Sequence, residues 1–241
     1  MLEKYKEFYI ENGYVVIPGH EFITEKEHKK LLEVSDKLIN TDNDNWLYNS
    51  NGTINKLQGA VTIVPEFLNL AKNKVLIKFA QSISNIGDNV DCYISKFFPQ
   101  QKNGNSTKWH QDNYYFKGSP KDIVSCAIYL TDTTIENGCL RIAKNTHKFD
   151  KFLDHTSSSG LDGIKWINED TINKHEIVDL VQKGPYAVFF NINIAHGCYT
   201  NTTEENRYSL AWEYINSSNS SVVSTDQKWC DRTLVTPKYL V

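Results

Sequence analysis

From residue 90 onward the chain loses helical spacing and becomes a series of short β-branched and aromatic runs. That change of period limits the fold more than any other feature. The runs are 92–98, 107–116, 124–131, 138–142, 176–181, 186–195 and 207–215, and clusters of Gly, Pro, Asn and Asp separate them. Strands this short bury their apolar sides only by packing sheet on sheet, so the series predicts a sandwich or barrel of the jelly-roll kind. Upstream the pattern is helical. Thr24 and Glu27 form a capping box, and Leu31, Val34 and Leu38, with Leu32 and Ile39, follow at helical spacing, which predicts a helix over 25–40. Pro65 is placed to open a second helix whose stripe is Leu68, Ala71, Val75, Leu76, Phe79 and Ile83. A short strand at 14–17, closed by Pro18-Gly19, comes before both. Residues 41–60 read as a polar loop that Trp46 and Tyr48 fold back on something. The stretch 155–175, with Ser157-Ser158-Ser159-Gly160, is long enough for a flap or an insertion.

The expected class is α+β with a mainly β core, in a single domain over 1–241. It divides into a helical flank at about 1–85, a jelly-roll core at about 90–215 and a tail at 216–241. A net charge of −3 gives no electrostatic case for nucleic acid or an anionic membrane. No apolar run reaches the length of a membrane span, and the charged start Met1 to Glu7 does not read as a signal peptide. The five cysteines are odd in number, widely spaced and never in a CxxC arrangement, which fits reduced thiols and a cytoplasmic location. Of 26 basic residues only Arg141, Arg207 and Arg232 are arginine, a hint that arginine stands where a planar, two-pronged donor is needed.

The chemistry-bearing residues fall in two clusters. In Trp109-His110-Gln111-Asp112, an extended strand would project His110 and Asp112 to one face, an imidazole beside a carboxylate. That is two-thirds of a 2-His-1-carboxylate iron site, and alone it is a weak signal. Further on, the apolar run from Tyr186 delivers His196 at its end, followed by Gly197, and Arg207 opens the next run. His196 and Arg207, on strands joined by a short loop, can both face one cavity. Two imidazoles and a carboxylate leave three octahedral positions open for a chelating acid and dioxygen. A bidentate arginine suits the far carboxylate of that acid. Tyr114 shares the strand face of His110 and Asp112, and Glu213 shares that of Arg207, so both are candidates to line a substrate pocket. The remaining histidines (His20, His28, His147, His155 and His175) read as packing or solvated residues.

With these residues in hand the chain resembles the phytanoyl-CoA dioxygenase family of iron(II)/2-oxoglutarate enzymes. The resemblance runs through Phe8-x-x-x-x-Gly13-Tyr14-Val15-Val16, Trp109-His110-Gln111-Asp112, Asn137-Gly138-Cys139-Leu140-Arg141, His147, His196-Gly197 and Arg207. It implies a double-stranded β-helix, cupin-like, with N-terminal flanking helices. It also implies that His110, Asp112 and His196 ligate Fe(2+), that Arg207 holds the distal carboxylate of 2-oxoglutarate, and that Gln111 lines the co-substrate site. Cys198 stands where the family often has a hydroxyl residue helping that carboxylate, and Gly184-Pro185 replaces the usual Gly-Asp. The implied reaction couples oxidative decarboxylation of 2-oxoglutarate with O2 to hydroxylation of an unactivated C–H bond in a small molecule, releasing succinate and CO2. Desaturation, epimerisation, cyclisation and peroxide formation use the same ligands. Halogenation requires a small residue in place of Asp112. A non-catalytic jelly-roll binding module would need none of these ligands, and a zinc hydrolase would have no use for Arg207.

Overall fold

In the computed structural model, which describes residues 2–104, 106–157, 165–219 and 231–236, a helix α1 (Leu2–Asn12) leads into strand β1 (Tyr14–Pro18) through Gly13. Gly13 has φ +75°, and a Cβ there would lie 2.4 Å from His147 Nδ1, so the turn and the close approach both require glycine. Thr24 caps α2 (Glu25–Leu38). Its hydroxyl accepts the Glu27 N–H, and the Glu27 carboxylate accepts the Thr24 N–H at 2.8 Å.

Two expectations about the flank are corrected. Residues 41–60 carry a hairpin, β2 (Trp46–Tyr48) and β3 (Ile54–Gln58), and β3 pairs with β4 (Val90–Gln100) through Leu57 and Phe97. The buried indole of Trp46 lies 6.3 Å from the Phe97 ring, which draws this polar stretch onto the core. After the short α3 (Ala60–Ile63), the apolar stripe behind Pro65 is two helices, α4 (Pro65–Ala71) and α5 (Lys74–Ile83). Asn73 makes the break, because its side chain accepts the N–H groups of Val75 and Leu76 and restarts the helix.

The later elements are α6 (Asn113–Phe116), β5 (Ile123–Tyr129), β6 (Leu140–Ala143), β7 (His155–Ser157), β8 (Lys165–Ile167), α7 (Glu169–Ile172), β9 (Ile177–Asp179), β10 (Tyr186–Phe190), β11 (Ala195–Cys198), β12 (Arg207–Asn216) and β13 (Arg232–Leu234). One sheet has the order β1-β10-β5-β12-β4-β3-β2, with β13 also on β4. The second has the order β11-β6-β9, and all these pairings are antiparallel. This is the expected double-stranded β-helix. β5 is buried along its whole length because both of its faces are covered. Val124, Cys126 and Ile128 pack in the cluster that holds the helices, whereas Ala127 and Tyr129 pack with Leu140 and Ile142 of the smaller sheet.

Two strand expectations also change. The run 186–195 is two strands in different sheets, joined by a turn in which Asn191 accepts the N–H groups of Asn193 and Ile194. The run 107–116 is not a continuous strand, as described below. The stretch 155–175 supplies β7, β8 and α7. Its Ser158-Ser159-Gly160 portion, like the tail residues Trp229 and Cys230, lies outside the described residues. No helix among the described residues is long and apolar enough to cross a membrane.

Candidate active site

His110 and His196 meet as an antiparallel backbone pair, each donating its N–H to the other's carbonyl at 3.0 Å. The pairing sets the two imidazoles side by side, with ring centroids 4.3 Å apart. Gly197 is what lets β11 come this close to the 107–110 segment, because a Cβ on it would sit 2.8 Å from the Thr107 carbonyl. After His110 the chain curls. Asp112 is in helical conformation (φ −55°, ψ −39°) and starts α6, so the carboxylate reaches the histidines from a turn and not along an extended strand. Tyr114 is thereby carried off the expected face. Its ring stacks on His155 at 3.9 Å, away from the cavity lined by the triad.

Asp112 Oδ1 lies 3.3 Å from His110 Nε2 and 3.7 Å from His196 Nε2, and one ligand atom from each residue falls within 4.8 Å of the others. These three residues can hold a metal ion. Their outer contacts favour the ligating forms. His110 Nδ1 lies 2.8 Å from the Lys108 carbonyl and His196 Nδ1 lies 3.1 Å from the Ile194 carbonyl. A carbonyl only accepts, so Nδ1 carries the proton and Nε2 offers its lone pair. Burial, followed by the charge of His110, pushes the His196 pKa down to about 4, which keeps that ring neutral at physiological pH. Burial alone would raise the Asp112 carboxyl, but His196, His110 and Lys96 outweigh it and hold it well below the ordinary range. Ser125 of β5 donates to the other carboxylate oxygen, Asp112 Oδ2, at 2.9 Å, leaving Oδ1 to face the histidines.

The triad opens into a cavity between the two sheets. Arg207, at the start of β12, lines it and is 3 % exposed. Its Nε and Nη1 are buried with no hydrogen-bond partner among the described residues, while its guanidinium lies 5.0 Å from the centre of the Tyr129 ring. Burial pushes the Tyr129 hydroxyl up to about 12, with Arg207 opposing, so it remains a neutral phenol beside the cation. A buried guanidinium with two idle donors on a cavity wall is costly in isolation and suited to an anionic guest. Cys198 also lines the cavity, with its sulfur accepting the Thr107 N–H at 3.1 Å.

Of the residues singled out from sequence, the structure brings His110, Asp112, His196, Arg207, Cys198 and Glu213 to one cavity. It does not bring Gln111 there. That side chain is 1 % exposed and spent on the fold, donating to the Asn193 carbonyl at 2.5 Å and accepting the Leu153 N–H at 2.8 Å. Gln111 is therefore corrected from a co-substrate contact to a clamp between two loops. Sequence reasoning missed Ser125 and Lys96. A signal for each was present: Ser125 is a lone polar residue inside an apolar strand-forming run, and Lys96 is the one charge within 92–98.

Similarity to characterised proteins agrees with this geometry. The model of the family described as "Phytanoyl-CoA dioxygenase (PhyH)" matches residues 9–209. A "Phytanoyl-CoA dioxygenase domain-containing protein 1 homolog" from Dictyostelium discoideum is 28 % identical over 137 residues, which are 55 % of this chain and 49 % of that protein. A protein of Stutzerimonas stutzeri with the description "Probable alpha-ketoglutarate-dependent hypophosphite dioxygenase" is 23 % identical over 61 % of this chain and 54 % of its own length. The chain spans about half the length of these curated relatives. Among solved structures, the epimerase SnoN in complex with Fe3+, alpha ketoglutarate and nogalamycin RO superposes with a TM-score of 0.72 at 17 % identity, covering 90 % of this chain and 84 % of SnoN. That likeness establishes the common fold.

Proposed function

Because the chain belongs to the phytanoyl-CoA dioxygenase family, we propose that it is an Fe(II)- and 2-oxoglutarate-dependent oxygenase that hydroxylates an unactivated C–H bond of a small molecule. The observation that carries the reading is the convergence of His110 Nε2, His196 Nε2 and Asp112 Oδ1 on one point, with the idle Nε and Nη1 donors of Arg207 on the wall of the same cavity. Two neutral nitrogens and one carboxylate oxygen suit a divalent iron and leave half of an octahedron free. When bound, iron with 2-oxoglutarate and dioxygen supplies the oxidising power, with succinate and CO2 as by-products.

The chain's own residues perform the remaining tasks. The carbonyls of Lys108 and Ile194 fix the imidazole tautomers, and Ser125 ties one oxygen of Asp112, so the other would be the one to hold the metal. Arg207 anchors the distal carboxylate of the keto acid, and the neutral Tyr129 beneath it keeps that end of the cavity free of competing negative charge. Phe190 packs on His196 with centroids 4.6 Å apart, and Trp166 and Tyr115 flank His110 at 5.6 and 6.3 Å, so aromatic rings shield both imidazoles from water. The carboxylate of Asp112 fills the position that halogenation would need to leave open.

Titration of 2-oxoglutarate into anaerobic, Fe(II)-loaded protein tests the reading. The wild type should bind one equivalent. Arg207→Ala should weaken binding on the order of 100-fold, the value of two lost charge-assisted hydrogen bonds, and Arg207→Lys should recover only part of it. Equal affinity in all three proteins would overturn the assignment.

A further inference from the structure

The cavity has a second polar end that the keto acid does not use. On β12, Arg207 and Glu213 both face inward, six residues apart, which is about 20 Å along a strand. Arg207 and Glu213 therefore mark the two ends of the run of β12 that lines the cavity. At the far end, Glu213 stands in register with Ser125, the residue bonded to Asp112. Glu213 Oε1 lies 3.6 Å from Lys96 Nζ of β4, and both side chains line the cavity. Glu213 is 3 % exposed, and its second oxygen, Oε2, is buried with no hydrogen-bond partner among the described residues. The strands are adjusted at this level. β4 places two residues, Ile94 and Ser95, opposite Trp212, and Ile94 takes φ +48°, an uncommon conformation for a β-branched side chain. Asp231 holds the bulge by accepting the Ser95 N–H at 2.9 Å, while its own carbonyl accepts the Ile94 N–H at 2.9 Å.

We propose that Lys96 and Glu213 form the substrate-recognition site of the oxygenase described above, and that the group they bind is a neutral hydroxyl. The inference rests on that reading of the cavity and adds the chemical class of the substrate. An alcohol O–H donates to Glu213 Oε2 while its oxygen accepts from Lys96 Nζ, so one group satisfies the idle lone pairs of the carboxylate and a free donor of the ammonium. Burial raises the Glu213 carboxyl to about 8, and a hydroxyl, which both donates and accepts, pairs with it in either protonation state. A protonated amine would instead add a positive charge beside Lys96 and a divalent metal, and a carboxylate would face Glu213 and Asp112 together. The alcohol is then anchored on the Asp112 side of the triad, opposite the keto acid, with the rest of the molecule within reach of the metal.

The test uses three ligands of one shape, cyclohexanol, cyclohexylammonium and cyclohexanecarboxylate. Each is titrated by ligand-observed NMR into full-length protein loaded with redox-inert Zn(II) and saturated with 2-oxoglutarate. The wild type should bind the alcohol at least tenfold tighter than either ion. The double variant K96M/E213L removes both charges together, so neither is left buried and unpaired. It should lose the preference for the alcohol, and its Zn(II) content and 2-oxoglutarate affinity, measured on the same sample, tell loss of this site from loss of the metal centre that Lys96 also supports. Should that variant fold poorly, Glu213→Gln at unchanged melting temperature should weaken alcohol binding severalfold. Equal or undetectable binding of all three ligands by the wild type overturns the inference, as does an alcohol affinity that neither variant changes. The 2-oxoglutarate titration in the same samples separates the two levels: if the wild type fails to bind the keto acid, the oxygenase reading itself falls.

Discussion

Two backbone carbonyls decide which nitrogen each histidine offers, and one hydroxyl decides how the carboxylate presents itself. None of these contacts is visible in a motif, since they come from Lys108 and Ile194, each two residues before its histidine, and from Ser125 on another strand. Ser125→Ala should therefore weaken metal binding by roughly 10- to 100-fold, as loss of an outer contact to a ligand does. A Co(II) titration followed by visible absorption reads this directly, and unchanged affinity would remove Ser125 from the site. Gln111 shows the opposite case, a residue whose neighbours in sequence implied a role that its hydrogen bonds exclude. Gln111→Leu leaves the Leu153 N–H and the Asn193 carbonyl without their partner. It should cost about 2–3 kcal/mol in urea unfolding, with 2-oxoglutarate affinity unaltered; the reverse pattern would restore it to the co-substrate pocket. The scarcity of arginine guided in part: Arg141 lies over the rings of Trp109 and Tyr199, with its Nε making no hydrogen bond among the described residues. Arg207 is the buried guanidinium of the cavity, and Arg232 forks onto Asp91 and the carbonyls of Asn216, Ser217 and Asn219.

Among the elements, those with self-contained signals were legible. The Thr24–Glu27 capping box and the stripe behind it gave α2 to within a residue or two, because the hydrogen bonds concerned are local. Thr24→Ala should cost about 1 kcal/mol by the loss of that cap, read as a lower urea midpoint with an unchanged slope; no change would mean that α2 is held by packing alone. What the pattern could not show was where the chain bends within a run of strand-forming residues. Asn191 and Asn193 mark the corner between β10 and β11, yet in sequence they look like minor interruptions of an apolar strand. Asp112 likewise sits at a helical corner inside a run of aromatic residues. The two corners are tied to each other, since the Asn113 N–H donates to the Ile192 carbonyl and the Asn113 side-chain amide donates to Asn193 Oδ1. The pair His110 and Asp112 was thus found for a partly wrong reason. Their closeness comes from a turn, and the alternation of a strand that predicts it would also have brought Tyr114.

For the molecule as a whole, the site depends on two sheets held face to face, one bringing Asp112's partner Ser125 and Arg207, the other bringing His196. The helical layer fixes the outer side of the larger sheet. Phe79 of α5 is fully buried and meets Phe189 of β10 edge to face at 4.9 Å. Phe79→Ala should cost about 3–5 kcal/mol, measured by chemical denaturation, and a cost below about 1 kcal/mol would show that the layer is not needed to hold the sheet. The jelly-roll class was readable because many short strands with little helix between them have few other ways to bury their sides, whereas the hairpin at 46–58 was hidden by its polar composition. The proposed activity requires one iron held between the sheets by His110, Asp112 and His196 and chelated there by a keto acid. Visible absorption of the anaerobic protein on addition of Fe(II) and then 2-oxoglutarate tests this most directly. The account predicts a weak charge-transfer band that saturates at one iron per chain and is absent in His196→Ala. No band in the wild type, or an undiminished band in that variant, would contradict it.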